Sequence, residues 1–591
     1  MMKIKYITIF VALLLLGSCQ SDFLDTVPYD KIGSGNMWKN ENLVDLGVNG
    51  VYNTLRYRYV GKERWSLDGD GFVGMGRDRT SWILGSSTFK SGVITAGDRM
   101  FTNYWEQHYE GIHRANDALL NLEAGVPVSD AKAARLIAEV KFLRAYFYFN
   151  LNQVFKGVPI YLEPVPEDQV NRSRDTEAAV WKVVIDDLTD CIDEANLPDM
   201  YPQGDSNIGR ATKAAAYSLR GKAYLYMKDY KNAEADFKKV STLGPELYQG
   251  RYADLFKEEN ESHPEMIFSV QNISLSGMGS ITQKYLVASP AFGAGWNTYL
   301  PHVDYVESFE NADGSPFNWD DYLPGYSTMT PAERTVFFLR DNLTSAQITT
   351  FEGRGAKMSL YLPNGNEARV LAAYSSRDPR LAQTIITPYS TFDGAAGNTE
   401  FTYTLRWPYV GYDRTEPFDF KTNTNNKFYY LWRKWVYEGT SSIDNREYGP
   451  TDMPLIRYAD VLLMLAEAIN EQGFKTEAVD IVNQVRKRAG AALLQTTDSS
   501  LPTFVDGQED MRERIRNERR WELPVEGINL FDEMRWKTLK EKSFYTGSGA
   551  KEIWGTNSYN FSWKGDYIYN WAIPRVETER NSDLKQNPGW E

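Results

Sequence analysis

Cysteine and histidine are scarce in this chain, and their scarcity excludes several kinds of site. The 591 residues include 2 cysteines and 4 histidines. A disulfide framework is therefore excluded, and no histidine pair has the i, i+4 spacing that places two metal ligands on one helix face. A phosphate-binding Gly-x-x-x-x-Gly-Lys motif is also absent. We expect neither a metal ion nor another cofactor.

Positive charge is in deficit as well. Lysine and arginine total 65 against 79 aspartates and glutamates, which gives a net charge of −14 at pH 7. A protein that binds nucleic acid usually has a basic patch or a long basic run to contact the phosphates, and this sequence has no long basic run. Nucleic acid is therefore not expected as a partner. Aromatic residues are abundant, with 16 Trp, 37 Tyr and 28 Phe, a supply that suits ligands bound by ring stacking.

A run long enough to span a bilayer is lacking, although the chain opens on a short apolar stretch. Two lysines precede the mostly apolar residues 7–16, and a Gly-Ser pair precedes Cys19. Because a spanning helix needs about 20 apolar residues, residues 1–18 are predicted to be a cleaved signal peptide. The junction resembles the lipobox of bacterial lipoproteins, which implies a lipid on Cys19 and an anchored tether over 19–30. An ordinary cleaved signal with a chance cysteine is the alternative.

The clearest helical pattern covers residues 131–155. Apolar residues follow each other at steps of three or four along two rows, which are Ala138, Phe142, Ala145 and Phe149, and Leu136, Val140, Leu143, Phe147 and Leu151. A helix that is apolar on two faces is expected to lie between two layers of structure. Gly157 and Pro159 predict its end, with the glycine as the C-cap.

Two helical hairpins are predicted further along the chain. The first starts at Thr212 and breaks at 228–230. The second starts at Tyr458, breaks at 472–473 and restarts with Thr476 as its N-cap. Small residues at the helix crossings are typical of tetratricopeptide-type pairs, but the 34-residue period does not repeat without interruption. The predicted fold class is mostly α, with tetratricopeptide-like hairpins forming a helical body beside a loop-rich irregular lobe that has short strands.

Composition divides the mature chain into regions. Residues 31–241 form a helical N-terminal region, and residues 242–591 form a C-terminal region that begins with a loop-rich lobe over 242–450 and returns to helix over 451–591. Strand-like pieces such as 266–270 are short. Loops as long as those of the lobe are uncommon unless they are functional, and rigid scaffolds tend to present binding sites on loops. We therefore expect the ligand to bind in this lobe.

Six ordered sequence blocks add a more specific signal. They are Cys-Gln-Ser-Asp-Phe-Leu-Asp at 19–25, W-x-x-x-Y-x-x-I-x-R-A-N at 105–116, E-x-x-F-L-R-A-Y-x-Y at 139–148, the stretch from Ile-Arg-Tyr-Ala-Asp to Arg-Ala-Gly at 456–490, Glu-Arg-Arg to Arg-Trp at 518–536, and Gln-Asn-Pro-Gly-Trp at 586–590. Together they resemble the SusD/RagB family of outer-membrane nutrient-binding lipoproteins of Bacteroidota.

The resemblance implies a function and a partner. Members of this family are lipid-anchored at the outer membrane and exposed at the cell surface. They capture oligosaccharides and pass them to a SusC-like TonB-dependent transporter without performing chemistry. A peptide-binding import lipoprotein of the RagB type is the main alternative, and a secreted glycoside hydrolase is a second one.

Two loops contain the residue types that bind sugars, namely flat aromatic rings framed by polar side chains. Candidate ligand contacts are Asp68, Asp70, Arg77, Arg79 and Trp82 in the loop 65–82, and Trp296, Asn297, Tyr299 and Trp319 in the loop 292–326. The resemblance points in particular at Trp82, Phe101, Trp296 and Tyr299, which lie just before the 105–116 helix or before the segment 307–314. Simple packing is the alternative for each aromatic residue.

Catalysis and calcium binding are not expected. Glycoside hydrolases need two carboxylates that face each other at about 5 to 10 Å. The acid pairs Asp68 with Asp70 and Asp320 with Asp321 are neighbours in sequence, which does not place them face to face, and no catalytic residue is assigned. The segment 311–314 is similar to part of a calcium loop, but Tyr322 stands where the acid at the twelfth position is needed, so a turn is predicted.

Overall fold

A computed structural model of the chain describes residues 37–61, 66–69, 76–78, 86–166, 169–286, 295–396, 399–410, 416–420, 427–439 and 447–591. The predicted signal peptide, Cys19 and the tether lie outside the described residues. Asp70, Arg79 and Trp82 also lie outside them, as does the side chain of Arg77. Within the described ranges, no helix combines the length and the apolar character needed to cross a membrane.

Helices make up most of the regular structure. The longer ones in the described part are α1 (Glu41–Tyr52), α2 (Arg99–Glu123), α3 (Asp130–Phe155), α4 (Glu177–Asp193), α5 (Lys213–Tyr226), α6 (Tyr230–Val240), α7 (Ser345–Gly353), α8 (Asn366–Ser375), α9 (Tyr458–Glu471), α10 (Thr476–Ala489), α11 (Gly507–Glu522) and α12 (Asn529–Trp536). Shorter helices are Ser86–Lys90, Thr282–Leu286, Val303–Ser308, Pro331–Arg334, Pro379–Thr384, Leu539–Ser543 and Arg575–Arg580. The predicted mostly α fold class is confirmed.

Helix α3 is the sandwiched helix that its two apolar rows predict. It packs between α2 and α4, and both rows are buried. The Ser129 side chain caps its first turn by accepting a hydrogen bond from the Lys132 amide. Its end differs slightly from the prediction, because Lys156, with φ of 59°, is the left-handed C-cap instead of Gly157. Gly157 is also left-handed, and a side chain there would collide with the carbonyl oxygen of Asp175.

The two predicted hairpins are present and pack against each other. Helices α5 and α6 form the first, α9 and α10 form the second, and α6 lies against α9. Within the first hairpin, the ring of Phe237 occupies the space above Gly221, where an added Cβ would stand 2.6 Å from a ring carbon. Small residues therefore allow the close crossing, as in tetratricopeptide pairs. The N-cap of α10 is Lys475, so the prediction of Thr476 was wrong by one residue.

The strands are short and irregularly distributed. They are β1 (Gly76–Asp78), β2 (Met266–Val270), β3 (Tyr299–Pro301), β4 (Ile385–Ile386), β5 (Thr391–Ala396), β6 (Thr399–Thr404), β7 (Phe418–Asp419), β8 (Leu431–Trp432), β9 (Met453–Arg457), β10 (Gly549–Lys551) and β11 (Asn557–Asn560). Antiparallel pairs join β1 with β3, β2 with β9, β4 with β8 and β10 with β11, while β5, β6 and β7 form one sheet. Strand β2 confirms the prediction for 266–270.

The core is continuous between the helical regions and the loop-rich lobe. Phe268 of β2 meets Phe142 of α3 edge to face, with ring centroids 4.9 Å apart. Near the C-terminus, Trp571 packs against Phe101 of α2 at 5.6 Å. The Asn587 side chain donates hydrogen bonds to the carbonyls of Phe155 and Trp571, at 2.9 and 2.7 Å. The last residues thus close the structure over α2 and α3.

A buried network of charges lies where β9, α10 and α11 meet the loop-rich lobe. We call it the central ion network, and it comprises Arg380, Lys434, Arg457, Arg486 and Arg488 with Glu265, Glu310, Asp378, Glu518, Glu522 and Glu526. Arg457 alone bonds Glu265, Glu522 and Glu526 at 2.5 to 3.0 Å. Each of these charges has opposite charges around it.

The pKa values of the network follow from burial and from these partners. Burial alone would raise the pKa of Glu522, but Arg488, Arg457 and Arg380 lower it to about 2. Burial lowers the pKa of Lys434 to about 8, although Glu526 opposes that shift. Taking charges out of water is costly unless every one is paired, so the partners depend strongly on one another.

Replacing Arg457 by Met should destabilise the protein by about 3 to 5 kcal/mol, because three buried carboxylates lose their shared cation. Urea unfolding followed by circular dichroism measures the change. The control is Lys182→Met on α4, where an exposed i, i+4 pair with Asp186 is lost and the midpoint should not move measurably. A loss below about 1 kcal/mol for Arg457→Met would mean that the network is not needed for stability.

Candidate functional site

The two candidate loops meet in the structure. Strand β1, from the first loop, pairs antiparallel with β3, from the second, so that Arg77 lies opposite Leu300 and Asp78 opposite Tyr299. These loops are more than 200 residues apart in sequence. The β1–β3 ladder therefore joins the two candidate loops through the backbones of 76–78 and 299–301.

A buried contact between Asp68 and Tyr299 supports this ladder. The Asp68 carboxylate is fully buried, forms an ion pair with Arg58 at 2.6 Å, and accepts a hydrogen bond from the Tyr299 hydroxyl. Tyr299 is 2% exposed. Both residues were candidate ligand contacts, and the structure instead places them in the packing that holds the loops together, because their polar atoms already bond each other.

Trp296 is the partly exposed aromatic residue at the edge of the ladder. The Lys284 ammonium lies 4.2 Å from the centroid of its ring, and the Tyr285 ring meets it edge to face at 5.7 Å. Lys284 also forms an ion pair with Glu447 at 2.9 Å. An aromatic surface bordered by a cation and a carboxylate can stack on a sugar ring and hydrogen-bond its hydroxyls.

The backbone around Trp296 fixes the position of its ring. The Trp296 amide donates to the carbonyl of Lys284 at 2.8 Å, and the Thr298 amide donates to the carbonyl of Tyr285 at 2.7 Å. Asn297 turns the chain between them with φ of 34°, in the left-handed region that asparagine tolerates. Its side chain is buried, so this candidate shapes the turn and does not face solvent.

Phe101 and Trp319 belong to the packing and not to an open surface. Phe101 is fully buried against Trp571 and Trp590, with ring centroids 5.6 and 5.3 Å away. Trp319 donates its indole N–H to Glu307 at 2.8 Å and stacks on Tyr326 at 5.1 Å. Neither ring has a free face for a sugar, which corrects the expectation that both contact ligand.

The burial of Phe101 could have been predicted from the helical periodicity of the sequence. Phe101 shares the spacing of Tyr104, His108 and Ile112, which is the buried row of α2, so the helix pattern identifies it as a core residue. Lys284, Tyr285 and Glu447 were not identified as neighbours of Trp296. They lie in irregular segments, where no sequence pattern indicates which side chains will meet.

The arrangement offers no support for hydrolysis or metal binding. Asp68 is occupied by Arg58 and Tyr299, and Asp320 accepts hydrogen bonds from the Ser327 amide. No cluster of three or more His, Cys, Asp or Glu side chains suited to a metal ion occurs among the residues that the structure describes. Residues 311–314 form the predicted turn, closed by the Gly314 amide donating to the Asn311 carbonyl.

Comparison with known proteins identifies the class of protein. Residues 264–590 match a model described as the SusD family, and residues 22–225 match a model described as starch-binding and associating with the outer membrane. The fold and these matches define an outer-membrane-associated protein of carbohydrate uptake. Since the first match covers more than half of the chain, the chain belongs to the SusD family, and the resemblance seen in the sequence is confirmed.

Individual relatives agree over most of their length. SusD-like protein P25 of Formosa agariphila is 24% identical over 547 residues, which is 91% of each chain. The starch-binding protein SusD of Bacteroides thetaiotaomicron is 24% identical over 492 residues, covering 78% of this chain and 74% of the relative. A solved SusD-like protein from Bacteroides fragilis aligns with a TM-score of 0.71 at 24% identity, covering 95% of this chain and all of the other.

Tyr299→Phe should destabilise the protein by about 1 to 3 kcal/mol, because the buried Asp68 carboxylate loses a hydrogen-bond donor. Trp296→Ala should cost less, since that ring is partly exposed. Thermal unfolding of both variants tests the assignment of Tyr299 to packing. An unchanged unfolding midpoint for Tyr299→Phe, combined with lost ligand binding, would mean that Tyr299 contacts the ligand and is not a packing residue.

Proposed function

We propose that this protein is a surface-exposed lipoprotein that captures oligosaccharides at the β1–β3 ladder and passes them to a SusC-like TonB-dependent transporter. The observation on which the proposal rests is the meeting of the two aromatic and polar loops at this ladder, with Trp296 at its edge. Cys19 provides the lipid anchor in the outer membrane, and the protein binds its ligand without catalysis.

In this proposal, Trp296 stacks on the apolar face of a sugar ring. Lys284, whose ammonium lies beside the indole, and its ion-pair partner Glu447 hydrogen-bond the ring hydroxyls. We also propose Asp70, Arg77, Arg79 and Trp82, the remaining candidates of the first loop, as further ligand contacts. Because Tyr299 is buried and bonded to Asp68, β3 is held in place before a ligand binds, which favours affinity.

The names of structural neighbours support a glycan as the ligand class. One neighbour is a laminarin-binding SusD-like protein, with a TM-score of 0.61 at 22% identity over 93% of this chain. Another was solved with a xylogluco-oligosaccharide, with a TM-score of 0.62 at 17% identity. Their ligands differ from each other, so the loops and not the shared helical body would set the choice of glycan.

Trp296→Ala should weaken glycan binding at least about tenfold, equivalent to about 1.4 kcal/mol, since the stacking surface is lost. Affinity gels containing laminarin, xyloglucan or starch, followed by calorimetry on residues 20–591, measure the effect. Trp563→Ala is the matched control, because Trp563 is a partly exposed tryptophan outside the ladder. Binding to peptide libraries with no binding to any polysaccharide would replace the glycan proposal by peptide import.

Cys19→Ala should release the protein from the membrane fraction while leaving the glycan affinity of the folded domain unchanged. The reason is that the lipid needs the thiol, whereas the ladder does not. Fractionation and mass spectrometry of the N-terminal peptide measure attachment, and calorimetry measures binding. Retention of the unlipidated variant at the membrane would contradict the proposed anchor.

A further inference from the structure

A second surface, separate from the ladder, is a groove of about 480 Å³ between α2, the segment 159–171 and the C-terminal helix Arg575–Arg580. Its lining includes Trp105, Tyr109, Ile112 and Asn116. These are residues of the W-x-x-x-Y-x-x-I-x-R-A-N motif, which glycan binding at the ladder leaves without a role.

The floor of the groove is aromatic and rigid. Trp105 and Tyr109 are in ring contact at 4.9 Å, and Tyr161 meets Tyr109 edge to face at 5.9 Å. The Tyr109 hydroxyl donates to the carbonyl of Pro159 at 2.7 Å, which ties α2 to the segment 159–171. Trp105 is only 5% exposed, so its ring offers no free face for sugar stacking.

The rim is acidic. Four glutamates line the groove against one arginine, and these residues are Glu106, Glu110, Glu163, Glu577 and Arg580. Arg580 pairs with Glu577 at 3.3 Å, and Arg114 pairs with Glu110 at 2.7 Å. Burial raises the pKa of Glu577, Arg580 opposes that rise, and the nearby Glu106 carboxylate adds to it. A cation between Glu106 and Glu577 would relieve their repulsion.

Apolar surface continues the groove at one end. An adjoining groove of about 330 Å³ shares Glu163 and Val165 with the first and is also lined by Leu162, Pro164 and Arg172. Leu162 and Val170 are 47% and 44% exposed. Exposed apolar residues next to a polar rim are typical of protein-binding surfaces.

We propose that this groove docks an extended segment of a partner protein that combines basic and apolar residues. A lysine or arginine side chain enters between Glu106 and Glu577 above the aromatic floor, where both carboxylates favour a cation. Apolar side chains of the same segment cover Leu162 and Val170. An acidic rim excludes nucleic acid and acidic peptides. The interaction is independent of glycan capture, because the groove and the ladder share no residues.

The test uses two acetylated, amidated decapeptides, one alternating lysine with leucine and the other alternating glutamate with leucine. Calorimetry on residues 20–591 should show binding of the basic peptide alone. The double variant Glu106→Gln with Glu577→Gln should bind the basic peptide at least about tenfold more weakly. Glu123→Gln, which removes an exposed glutamate from the last turn of α2 outside the groove, should bind it with unchanged affinity.

A second variant, Leu162→Glu, tests the apolar end and should weaken binding of the basic peptide although it adds negative charge. Equal loss in Glu123→Gln would show a non-specific attraction to an acidic protein and would overturn the proposal. Unchanged affinity of the double variant, or no binding of the basic peptide, would overturn it as well. Unaltered glycan binding by the double variant keeps this test separate from that of the proposed function.

Discussion

The buried pairing of arginines with carboxylates in the central ion network is the interaction on which the rest of the structure depends. The strands of the loop-rich lobe are short, and buried ion pairs add further bonds between its segments. Arg486 bonds Glu310 at the end of the segment that follows β3, while Arg380 ties the short helix Pro379–Thr384 to Glu518 of α11. Through these bonds the helical body positions Glu310, and with it the part of the second candidate loop that follows β3.

The sequence predicts the body of this protein better than its site, for a physical reason. Helix α3 and both hairpins follow from apolar periodicity and small crossing residues, which depend on local geometry. The family blocks at 456–490 and 518–536 contain Arg457, Arg486, Glu518 and other members of the network. The resemblance was thus recognised through residues that hold the fold together. For Trp319, burial depends on Glu307, Tyr326 and other tertiary partners, and no spacing in an irregular loop indicates them.

The β1–β3 ladder and the groove along α2 are separate surfaces with different chemistry. The ladder uses loops from both halves of the chain and surrounds an indole with charges of both signs. The groove along α2 uses helices and a proline-containing segment, and surrounds an aromatic floor with negative charge. The two surfaces therefore rest on different parts of the chain, the ladder on irregular loops and the groove on the helical body.

The bonds from Asn587 to the carbonyls of Phe155 and Trp571 also imply that the C-terminal segment packs late in folding. The bond to Phe155 joins parts of the chain that lie 432 residues apart, and the packing over α2 and α3 is complete only when the final segment is in place. Contacts of such high sequence separation slow folding, because a long loop must close before they contribute stability. The packing over α2 is therefore completed late in folding. Trp571 and Trp590, which contact Phe101, become reporters of a fully folded chain.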